Sequence, residues 1–125
     1  MKYKVLFLIL AAMLMAACSA AATVQPTPTY DAVQLQGYDV YKLRCAQCHA
    51  LTPDTIVIGP SLADVATRAS ERESGMDAQS YIETSILNPS EFVVSGFSDV
   101  MPKSFAKDLT SDEFNAVVAF LMTLK

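Results

Sequence analysis

The 125-residue chain contains one histidine, three cysteines and no tryptophan. A single imidazole excludes any zinc site that needs two, and three cysteines are too few for a disulfide framework. Basic side chains are scarce as well: nine Lys and Arg stand against thirteen Asp and Glu, with no cationic block. That excludes nucleic-acid binding driven by phosphate neutralisation. No internal repeat is visible. What the chain does have is apolar residues, 52% of the total with a mean hydropathy of +0.30, too many for a disordered tail. The charge is also unevenly spread. Met1 to Ala17 carry Lys2 and Lys4 and no acid, so the rest holds seven basic and thirteen acidic side chains, a net −6.

Lys2 and Lys4 precede an unbroken apolar run from Val5 to Ala17. The run fits the hydrophobic region of an export signal better than a membrane span, which wants roughly 20 apolar residues. It closes on Leu14-Met15-Ala16-Ala17-Cys18. Small residues before a cysteine resemble a bacterial lipobox, in which cleavage leaves the cysteine to carry a diacylglycerol; Met15 departs from the usual Leu. Residues 1–17 are therefore expected to be a lipoprotein-type signal and Cys18 a lipidation site. Two other outcomes stay open: cleavage after Ala20 or Ala22, and an uncleaved helix from Val5 to Ala22. Residues 18–30 contain Pro26 and Pro28 and read as an extended tether. Residues 31–125 are then a domain of 95 residues, small enough that a bound apolar group would help its core.

Cys45-Ala46-Gln47-Cys48-His49 is C-x-x-C-H, the haem c attachment pattern. Two thiols three positions apart can add to the two vinyl groups on one porphyrin edge, and the adjacent imidazole then lies beneath the iron. A thioredoxin-like thiol pair would need a βαβ setting. A structural zinc would need further Cys or His ligands, and residues 31–125 have none. With one histidine in the chain, the second axial ligand cannot be an imidazole, and methionine is the soft alternative that supports electron transfer. Outside the signal the methionines are Met76, Met101 and Met122. Met122 falls within the last helical pattern and Met76 before a helix, both as packing residues. Met101 sits in a loop stiffened by Pro102, with Phe105 close behind, and is the expected distal ligand.

These residues resemble the class I mono-haem cytochromes c across nearly all of 31–125. The resemblance rests on Gly37 and Tyr41 before the C-x-x-C-H, on Ile58-Gly59-Pro60-Ser61-Leu62, on Ser85-Ile86-Leu87-Asn88-Pro89, and on Met101-Pro102 with Phe105. It implies one covalent haem c. It also implies that Pro60 offers its carbonyl to the free N–H of His49, and that Leu62 packs on the haem. Without a tryptophan, a propionate partner of that type is missing. Arg68 is a candidate replacement, although an exposed arginine at a helix end is the simpler reading.

The expected fold is all-α, about four helices with loops wrapped around the haem. The first runs from about Val33 to Cys45, with Gly37 allowing another helix to approach closely. A short one spans Ser61 to about Arg68. A third, Ala78 to Leu87, is capped by Asp77 and stopped by Pro89. The last begins at the capping box Thr110-Ser111-Asp112-Glu113, with Leu109 and Phe114 as its hydrophobic staple. Thr55–Ile58 and Phe92–Val94 are expected to line the haem crevice rather than form strands, and Glu71–Gly75 to be a solvated loop.

A haem with His49 and Met101 as ligands offers no open coordination position, which points to single-electron transfer. A haem enzyme or gas sensor with a dissociable methionine is the alternative, and a thiol-pair lipoprotein without haem a third. The expected partners are a membrane electron-transfer complex, as donor or acceptor, and the membrane itself through the lipid. Neither nucleic acid nor a small-molecule substrate is expected. The combination of lipobox, proline tether and one class I domain is similar to the mono-haem lipoprotein subunit of bacterial alternative complex III. The expected location is the outer, periplasmic face of the cytoplasmic membrane. Lys42, Arg44, Lys103 and Lys107 flank the haem motifs and suggest a locally positive docking rim, offset in part by Asp39, Asp99 and Asp108.

Overall fold

The computed structural model describes residues 29–125; the expected signal, Cys18 and most of the expected tether lie outside the described residues. Five helices follow in order: α1 (Ala32–Val40), α2 (Val65–Ala69), α3 (Ala78–Leu87), α4 (Phe105–Asp108) and α5 (Ser111–Leu121). No strand occurs among the described residues, and the sole β-like contact is an isolated antiparallel bridge between His49 and Ile56. The fold is all-α.

The first helical run covers Ala32–Cys45, the extent its sequence pattern predicts, but only Ala32–Val40, α1, is α-helical. Asp31 caps it, accepting from the Gln34 N–H at 2.8 Å while Gln34 returns a bond to the Asp31 N–H. After Val40 the chain widens into a π-helical turn, Tyr41–Cys45, closed by the Ala46 N–H on the Tyr41 carbonyl at 2.9 Å. A π-turn inside a helix commonly marks a functional site; here it leads straight into C-x-x-C-H.

Gly37 is buried where α1 meets α5. A Cβ at this position would run into the Ala116 carbonyl and the Phe120 side chain, so only glycine permits the crossing. Phe120 is 0% exposed and gathers Tyr30, Tyr38 and Tyr41 around it at ring-centroid distances of 5.7, 5.3 and 5.7 Å. These are favourable aromatic separations, and they fix the start of the haem motif to the most buried part of the core.

α5 begins as its sequence predicts: Thr110 Oγ1 accepts from the Glu113 N–H, and the Glu113 carboxylate accepts from the Thr110 N–H at 2.9 Å. Thr110→Ala is expected to lower unfolding stability by about 1 kcal/mol, read from the urea midpoint at unchanged slope. α3 is likewise capped by Asp77, whose side chain accepts from the Ser80 N–H at 2.8 Å. It buries Ala78, Tyr81, Ile82 and Ile86, one face of the helix.

α2 starts at Val65 rather than Ser61. Ser61–Ala63 are used elsewhere: Ser61 Oγ donates to the Thr52 carbonyl and the Leu62 N–H to the Ala50 carbonyl, both at 2.8 Å. Asp64 then takes a left-handed conformation, φ 54°, before the helix can begin. α4 is an addition to the expected four helices; its four residues follow directly on the Met101 loop.

Candidate functional site

One cavity, about 270 Å³ in volume, lies among these elements. Cys45, Cys48, His49, Pro60, Leu62 and Met101, the six residues singled out for the cofactor, all line it. Met76 and Met122 do not line it; both pack, partly buried, against the core. Phe105, the first residue of α4, is on the cavity wall.

The C-x-x-C-H segment is held by its own backbone. The Cys48 and His49 N–H groups donate to the Cys45 carbonyl at 3.0 and 2.9 Å. The Cys48 carbonyl in turn accepts from Ile58 and Gly59 at 3.2 and 2.9 Å. From the other side, the Tyr41 hydroxyl donates to the His49 carbonyl at 2.7 Å. Burial is the main cause that pushes the Tyr41 phenol up from its ordinary pKa, with smaller contributions from Cys45 and Tyr38, so it remains a protonated donor.

The His49 ring is fixed by two features. Its Nδ1 donates to the Pro60 carbonyl at 2.8 Å, which leaves Nε2 as the nitrogen with a free lone pair. Gly59 packs flat against the imidazole; a Cβ there would meet three of its ring atoms. Sequence reasoning reached the Pro60 bond through family resemblance alone, and the role of Gly59 is visible only in the structure.

Three arginines, Arg44, Arg68 and Arg72, also border the cavity. Arg68 is not the exposed helix-end residue that the sequence suggested. It is half-buried, with its guanidinium donating to the Ser61 carbonyl at 2.7 Å and to the Ala63 carbonyl. The late start of α2 explains the difference, because it leaves those loop carbonyls unpaired and within reach.

Two further features differ from their sequence expectation. Of Thr55–Ile58, only Ile58 lines the cavity, whereas Ile56 and Val57 are 69% and 51% exposed. The positive rim is also partly neutralised: Lys42 pairs with Asp39 at 2.7 Å and Lys103 with Asp99 at 3.2 Å, whereas Arg44, which borders the cavity, and Lys107 are in neither pair.

The residues present fit a haem. The cavity is lined mostly by apolar side chains, as a porphyrin would require, and the two thiols, the imidazole and the Met101 thioether are all among its lining. The arginines offer positive charge to the carboxylates that haem carries. The Ser85 hydroxyl is buried against the cavity without a hydrogen-bond partner in the protein; buried polar groups are nearly always paired, so a bound group is the natural source of its partner. The thiol-pair reading fits poorly. Burial, and secondarily Cys48, pushes the Cys45 thiol up to about 11. Reactive C-x-x-C pairs have lowered values instead. The helical setting also lacks the βαβ unit, and no group of three or more potential metal-ligating His, Cys, Asp or Glu side chains occurs among the described residues.

Fold and cavity together define an all-α domain built to enclose a haem attached at C-x-x-C-H. Compared with known families, residues 35–125 match the one described as Cytochrome c, and the chain belongs to that family. It is accordingly a haem c protein of the electron-transfer type. No curated protein matches the chain.

Proposed function

We propose that the protein is a single-electron carrier tethered to the outer face of the cytoplasmic membrane, with His49 and Met101 as the two axial ligands of one haem c. The observation that carries this reading is the shared cavity: His49, Met101, Cys45 and Cys48 all line it, and no other methionine among the described residues does. When bound, the haem supplies an iron that changes between the ferrous and ferric states. The chain's own residues do the rest. Cys45 and Cys48 hold the group covalently, Pro60 orients His49, and the apolar wall with the Met101 sulfur favours the ferrous form and so a raised potential. Leu62, on the cavity lining, would pack against the macrocycle.

The tether and lipobox pattern supports lipid attachment at Cys18, and through it work beside a membrane complex that donates or accepts electrons. The mono-haem subunit of alternative complex III is the arrangement it is most similar to. Two measurements test the proposal. Reduced protein should decline carbon monoxide without prior treatment; ready binding would favour the haem enzyme or gas-sensor reading instead. Wild-type protein should require detergent for extraction, with Cys18→Ser releasing it or leaving it on an uncleaved helix. Wild-type protein free in the periplasm would overturn the anchoring.

The partly neutralised rim changes what docking should look like. With Lys42 and Lys103 paired, the positive rim is reduced to Arg44 and Lys107, too little to steer a partner strongly from an acidic body. Transfer to the partner is expected to change less than about threefold between low and physiological salt. A steep fall in rate would show that the lysines act unpaired.

A further inference from the structure

Met101 has no helix to hold it. It lies in an irregular stretch from Asn88 to Ser104, between the end of α3 and the start of α4. Its seventeen residues exceed the usual length of a structureless connection, which runs to roughly 12–15 residues at most. A ligand on such a segment would be held only as firmly as the segment itself. One side-chain cluster ties the stretch together around residue 101. The Asp99 carboxylate accepts from Ser90 Oγ at 2.9 and 3.1 Å and from Lys103 Nζ at 3.2 Å. Ser90 lies just beyond α3, while Asp99 and Lys103 sit two residues before and two residues after Met101. Asp99 and Pro102 are themselves on the cavity wall. The carboxylate therefore joins the start of the stretch to both flanks of the methionine.

We propose that Ser90, Asp99 and Lys103 form a clamp that keeps Met101 on the iron, and that this clamp is what keeps the site closed for electron transfer rather than open to small ligands. The inference rests on the reading of Met101 as distal ligand. Asp99, Ser90 and Lys103 are positioning residues: none needs to touch the iron. A partly exposed ion pair contributes little to global stability. A tie across an irregular loop would act instead on the fraction of time in which the ligand is detached, and a binding site available for only that fraction has its affinity reduced in proportion.

The test uses haem-loaded full-length protein. Asp99→Ala removes both tethers, Ser90→Ala and Lys103→Gln remove one each, and Asp99→Asn restores an acceptor for Ser90. Two signals are followed: carbon monoxide affinity of the ferrous form, and the weak near-infrared sulfur-to-iron band of the ferric form during heating, beside helix melting by circular dichroism. Asp99→Ala is expected to bind carbon monoxide about tenfold more tightly than the parent, as loss of hydrogen bonds to a charged group implies. Its band should fade well below helix melting, with the single-tether variants and Asp99→Asn falling between. Affinity within twofold of the parent overturns the clamp, and so does a band that disappears only when the helices melt. Met101→Ala serves as the control. It should lack the band and bind carbon monoxide freely; if the band survives there, the ligand is another residue, and the reading of Met101 and the clamp fail together. Loss of the band in Met101→Ala with a silent Asp99→Ala leaves the ligand reading intact and overturns the clamp alone.

Discussion

Gly59→Ala is expected to leave the helices in place while removing the low-spin haem spectrum. The added methyl group would occupy the position of the His49 ring. The ring can yield only by giving up its bond from Nδ1 to Pro60, which sets its orientation toward the iron. Backbone bonds on either side, Gly59 N–H to the Cys48 carbonyl and Leu62 N–H to the Ala50 carbonyl, keep the loop from moving away instead. Purified variant protein should retain its far-ultraviolet dichroism within about 10% and lose most of its native haem band, an effect equivalent to displacing an outer-sphere partner of a metal ligand by 10–100-fold. A Gly59→Ala spectrum and potential matching the parent would show that the close contact has no bearing on ligation.

Gly37→Ala is expected to act on the whole domain. The crossing of α1 and α5 brings the Ala116 carbonyl and Phe120 into the space a Cβ would need. One of those neighbours is backbone inside a helix, so the helices must separate. Overpacking a tight core costs about 1–3 kcal/mol and occasionally more, and this site belongs at or above the upper end because the obstacle is not a flexible side chain. Against a typical stability of about 5–15 kcal/mol that is a large fraction, in a domain whose core also gathers Tyr30, Tyr38 and Tyr41 at the same crossing. The measurement is a denaturant midpoint, and a change below about 1 kcal/mol would contradict the packing described.

How far the sequence could be read depends on the range of the interaction. Helix caps at Asp77 and Thr110 are settled within four residues, and their bonds occur where the sequence places them. The C-x-x-C-H spacing is local too. Gly37 signals a close approach by its cost in a helix, though not what approaches. The failures are tertiary. α1 gives way to a π-turn at Tyr41, where the hydroxyl must reach the His49 carbonyl eight residues on. Propensity carries no trace of that demand. Arg68 looked exposed because its partners, the Ser61 and Ala63 carbonyls, are free only once Asp64 has delayed α2. The lysines near the motifs looked like a positive rim because sequence shows charges and conceals their pairing across a helical turn or a loop. Ser90 carries no pattern, and the motif that contains Ser85 says nothing of its hydroxyl; the significance of both lies in where the fold places them.

A haem bound by two thioether bonds at Cys45 and Cys48 is tested most directly by the intact mass of the purified chain after extraction with acidified acetone, which removes haem that is not covalently attached. The polypeptide should be heavier by one haem, whatever its N-terminus, and digestion should yield a haem-bearing peptide that contains both Cys45 and Cys48. A mass equal to the bare polypeptide, with the haem in the solvent layer, would contradict covalent attachment.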